Sequence, residues 1–175
     1  MTPQRSVHST RLPALNGLRR QLVVLAALAV ALPAGLVSAQ RVAQANFDST
    51  SLSAGFSTAA GTLRGRTGGQ VSLPGVVANR DRTGNLCLGF GSTLPDHIVT
   101  LEEDFAQLTL RVNSNGNDTS LIIRGPSGVQ CGSNVSRTNL DQQVISTDWE
   151  VGTYEVWVGS SRPGQQFSYT ITIQE

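Results

Sequence analysis

Lysine is absent from this 175-residue chain, so all 13 basic residues are arginines. The gap reads as base composition, and no chemistry is drawn from it. Histidine is almost as scarce, since His97 is the only one beyond His8. Two cysteines, Cys87 and Cys131, lack CxxC spacing, and with one histidine to join them they do not make a zinc site. There is no G-x-S-x-G elbow to present a nucleophilic serine, because "GSSRPG" and "GPSGV" each miss the second glycine position. No apolar run reaches the roughly 20 residues of a spanning helix.

What is present at the start is a leader. Residues 1–20 carry four arginines and no acid, and residues 22–36 are apolar but interrupted by Pro33. Val37-Ser38-Ala39 follows, which is the small-residue ending of a cleavable signal peptide, with cleavage expected after Ala39. Arg19-Arg20 would suit twin-arginine export, although the phenylalanine and lysine that usually follow are missing. The expected organisation is therefore a signal peptide over 1–39 and one domain over 40–175, exported to the periplasm or outside the cell, with no stable membrane span after cleavage. The mature part has nine arginines and twelve acids, a net charge of −3, which argues against nucleic acid as a partner. An even cysteine count in an exported chain reads as one disulfide. Closing the 45-residue loop from Cys87 to Cys131 is worth about 4 kcal/mol by chain entropy.

From Cys87 onward the apolar residues alternate with period two, and no helical period is sustained. Leu108, Leu110 and Val112 share one face. So do Tyr154, Val156 and Val158, and again Phe167, Tyr169, Ile171 and Ile173. Asn115-Gly116 predicts a tight hairpin turn, with residues 121–123 returning as the partner of 108–112. "GPSG", 125–128, predicts a second turn. Strands are also expected within 47–52 and 62–73, and a surface loop over 78–85. Short strands punctuated by Gly, Pro, Asn and Asp predict an all-β fold, a single antiparallel β-sandwich.

The series "LPDHIVTLEEDFAQLTLRV", "NDTSLIIRGPSG", "QC", "DWEVGTYEVWVGS" and "FSYTITIQE" resembles secreted bacterial domains of the pre-peptidase C-terminal (PPC) type. The resemblance covers most of the mature chain. It implies a jelly-roll-like sandwich that accompanies secreted peptidases or stands alone, and is not itself the catalyst. Some relatives hold calcium on acidic loops. Asp118 matches an aspartate of that pattern, whereas Gly132, Ser133 and Asn134 stand where acids would follow the second cysteine. Calcium takes six to eight oxygens, usually with several carboxylates, so no cofactor is expected, with calcium at Asp118 kept as the alternative.

His97 is the one candidate base for a hydrolase. It follows Pro95 and Asp96, and Glu102, Glu103 and Asp104 are close by, but no nucleophile accompanies it. The simpler reading makes Pro95, Asp96 and His97 a structural turn opening a strand, with the imidazole satisfied by a backbone carbonyl. If the Tyr154 face is core, Trp157 and Glu155 lie on the opposite face, where with Trp149 they would offer a binding surface. Burial of Trp157 beneath a loop or the N-terminal segment is the alternative. The expectation is a non-catalytic binding or accessory module directed at envelope or extracellular protein or polysaccharide. A minor hydrolase using His97 and a calcium-stabilised adhesion domain are the alternatives.

Overall fold

The computed structural model describes residues 44–175. The predicted signal peptide over 1–39 lies outside the described residues. The strands are β1 (Thr50–Leu52), β2 (Thr62–Arg66), β3 (Val71–Ser72), β4 (Phe90–Gly91), β5 (His97–Leu101), β6 (Phe105–Asn113), β7 (Thr119–Gly125), β8 (Gly128–Cys131), β9 (Ser133–Asn134), β10 (Gln142–Trp149), β11 (Gly152–Ser160) and β12 (Ser168–Gln174). One helical turn, α1 (Leu73–Val76), has Pro74 in its first turn, where the missing N–H costs nothing.

These strands form two sheets, and the all-β sandwich is the fold observed. One sheet runs β2-β12-β6-β10-β9. The other is organised on β11, whose residues Glu155 and Val156 pair with β5 on one edge and β7 on the other. From β5 to β12 most connections cross from one sheet to the other, as in a jelly roll. The pairing is antiparallel with one exception, β1 against β5, which is parallel.

The alternating faces meet between the sheets. Leu108, Leu110, Val112, Tyr169, Ile171 and Ile173 from one sheet pack against Val99, Leu101, Leu121, Ile123, Tyr154 and Val156 from the other. A second, smaller cluster lies on the outer face of the β11 sheet, where Leu73 and Cys87 cover Ile122 and Trp157. This is why β7 is buried on both faces from Thr119 to Ile123, the burial expected of a central strand.

One expectation is corrected here. Asn115 and Gly116 have the positive φ values of the predicted turn, 63° and 78°, but β6 and β7 are not hairpin partners. β6 pairs with β10 and β12, while β7 pairs with β11 and β8 in the opposite sheet. The turn is held from a distance by the buried carboxylate of Asp141, which accepts from Ser114 N–H at 2.8 Å and Gly116 N–H at 2.9 Å. That tether, with the two-sided apolar character of β7, carries the chain across to the other sheet. The "GPSG" turn is present as predicted, and it joins β7 and β8 as a hairpin with Gly125 opposite Gly128. In the earlier part, residues 62–73 divide into β2 and β3, and the expected loop over 78–85 is organised by Asp81, which accepts from Thr83 and Asn85 backbone N–H groups.

Candidate functional site

His97 opens β5 with its side chain fully buried. Its Nδ1 lies 2.7 Å from the carbonyl of Asp48, which can only accept, so Nδ1 carries the proton. Nε2 is then the acceptor, 2.9 Å from the hydroxyl of Tyr169. Burial lowers the imidazole pKa, against the raising effect of the Asp48 carbonyl and carboxylate. Both nitrogens are committed and neither reaches solvent, so this histidine is closed off from a substrate.

Asp96 is buried beside it and accepts from Val158 N–H at 2.8 Å and from Asn46 Nδ2 at 3.1 Å. Burial raises its pKa to about 6, against the lowering effect of those two donors. The carbonyls of Pro95 and Asp96 accept from Asn46 and Phe47 N–H. Pro95, Asp96 and His97 thus latch the segment before β1 onto β5. The neighbouring acids do equivalent structural work, with Glu103 accepting from Ala54 N–H and Asp104 from Val151 N–H.

The proposed aromatic surface is corrected by burial. Trp157 is 1% exposed, beneath Leu73 and the disulfide, and Arg124 lies over its ring at 5.0 Å. Glu155 holds that arginine, Nε to Oε2 at 2.7 Å, so it helps roof the indole instead of standing free. Trp149 packs against Tyr154 in the main core and donates from Nε1 to the carbonyl of Ser146. Alternation placed Trp157 on the outer face of its sheet correctly. The covering segment, residues 73–87, has no strand or helix period to announce it.

Cys87 and Cys131 are bonded, as the cysteine count predicts. Beside this disulfide lies a cleft of about 330 Å³, a feature that sequence reasoning missed. Its lip is made by Leu86 and Leu88, which flank buried Cys87 and are 57% and 64% exposed. Thr119 and Ser120, at the start of β7, border it, but their hydroxyls are sealed from solvent and have no hydrogen-bond partner among the described residues. Ser120 sits there because Gly89 has no side chain: a β-carbon on Gly89 would fall 2.0 Å from its Oγ. The opposite wall is Gly132-Ser133-Asn134 with Gln142.

Asp118 is exposed at this cleft and is its one charged lining residue. The fold brings Asp118 to the residues after Cys131, where Ser133 and Asn134 offer a hydroxyl and an amide in place of further carboxylates. Among the described residues no three His, Cys, Asp or Glu side chains gather into a metal-binding group. The signal that could have pointed here is the Leu-Cys-Leu alternation, an exposed leucine on each side of a disulfide cysteine.

The fold and site define a class: a two-sheet β-sandwich stapled by one disulfide, with a mixed aliphatic and polar cleft beside the staple. No family model and no curated protein matches the chain. Among solved structures it is similar to the pre-peptidase C-terminal domain of a collagenase from Bacillus anthracis. The identity is 10% and the TM-score 0.42, over 72% of this chain and 94% of that one.

Proposed function

We propose that the chain is an exported, non-catalytic binding or accessory module, acting in the periplasm or outside the cell on envelope or extracellular protein or polysaccharide. The observation that carries this reading is the cleft beside the disulfide, where exposed Leu86 and Leu88 stand with the polar side chains of Asp118, Ser133 and Asn134. A concave site that pairs aliphatic walls with a few convergent polar groups is the usual form of a ligand site. His97, the one candidate base, is sealed in the core, which supports a non-catalytic role. The disulfide suits an oxidising compartment. Among the described residues no helix is long and apolar enough to cross a membrane.

The test is retention of envelope protein and of envelope polysaccharide on the immobilised chain, run beside the Leu86→Ser/Leu88→Ser variant. Retention by the wild type that the variant loses supports the reading. Equal retention by both removes the cleft from it.

Calcium is not part of this proposal, because one carboxylate at the cleft leaves most of an oxygen cage unmade. A ligand that binds only the native state raises the melting temperature. Melts in millimolar calcium and in chelator should therefore coincide, and a rise of several degrees with calcium would restore the adhesion-domain alternative.

A further inference from the structure

Resting on the reading of the cleft as a binding site, the geometry points to its ligand: we infer that it takes an extended polypeptide bearing an aliphatic side chain next to a lysine or arginine. Leu86 and Leu88 project to the same side of their chain because Cys87 between them is turned inward. They form a solvent-facing aliphatic wall, and no aromatic ring lines the cleft to act as a platform for a sugar ring. Asp118 gives the mouth a single negative charge with no lining cation to neutralise it, which selects a basic partner and disfavours an acidic one.

The remaining groups suit a peptide main chain. β9 is the terminal strand of its sheet, and Ser133 and Asn134 are both exposed along the cleft wall. Edge strands accept an added strand through main-chain hydrogen bonds, while side-chain pockets supply selectivity.

The experiment is fluorescence anisotropy of the purified chain with a labelled Gly-Leu-Lys-Gly-Leu-Lys-Gly peptide. Peptides with Glu for Lys or Ser for Leu run in parallel, with chitotetraose as competitor. Saturable binding of the Leu/Lys peptide is expected, with the two altered peptides bound more weakly. Asp118→Asn should weaken it about two- to fivefold, the scale of an exposed ion pair. Leu88→Ser should weaken it about tenfold. Both side chains are exposed, so both variants keep the fold, which a thermal melt verifies.

Equal binding of the Lys and Glu peptides, or indifference to Leu88→Ser, overturns the inference. Binding of chitotetraose that Leu88→Ser weakens, without binding of the peptide, overturns the polypeptide class and leaves the binding-module reading standing. Neither ligand bound at millimolar concentration, together with no retention of envelope material by the wild type, overturns both.

Discussion

Asp96 and His97 are adjacent in the chain, buried together, and respond to acid in opposite senses. The folded state raises the pKa of Asp96 to about 6 from an ordinary 3.8. This group therefore contributes its full stability below about pH 4 and loses it as pH rises through about 6. The swing is on the order of 3 kcal/mol. His97 is lowered from an ordinary 6.5, so its contribution is present above that pH and is lost as pH falls towards the folded value. The two trends overlap between about pH 4 and 6.5, so the wild-type profile is flatter than either alone. Asp96→Asn separates them, since an amide oxygen still accepts from Val158 N–H and the Asn46 amide can turn to match it. The melting temperature of this variant should gain on the wild type steadily from pH 4 to pH 7. A constant difference across that range would show that Asp96 does not hold its proton in the fold.

At the scale of elements, the β7–β8 hairpin depends on the absence of a side chain at Gly125. A β-carbon there would sit 2.1 Å from the ring of Tyr154. That ring is 1% exposed and anchored by its hydroxyl, which donates to the Glu150 carbonyl at 2.8 Å. Gly125→Ala should therefore cost about 1–3 kcal/mol in urea denaturation, and Gly125→Ala in a Tyr154→Leu background should cost less. The turn of that hairpin was legible in the sequence, as were β6, β11 and β12, because a turn motif and a period-two face are local. What was not legible is what lies opposite. Asn115-Gly116 specifies positive φ angles but not a strand partner, and that choice depends on Asp141, 25 residues beyond the turn glycine. Alternation put Trp157 on an outer face without revealing the aperiodic segment that buries it. The cleft was hidden for the same reason: Leu86, Asp118, Thr119 and Ser133 come together only when both sheets and the disulfide are in place.

For the whole molecule, the disulfide ties the covering segment to β8 across a sequence separation of 44. Replacing Cys87 and Cys131 by Ala should lower the unfolding free energy by about 4 kcal/mol, read as a shift of the urea midpoint that reducing agent reproduces in the wild type. Since Cys131 also lines the cleft, ligand affinity should fall with it. A further consequence lies in the strand order. β2, the second described strand, has β12, the last described, as its partner in the sheet, and β1 depends on β5 in the same way. Emerging from its amino end, the chain offers no self-sufficient half, because its earliest strands wait for partners not yet delivered. Such long-range pairing slows folding and defers it to the end of delivery. For the export proposed above, that delay keeps the chain pliable until β12, residues 168–174, has been delivered.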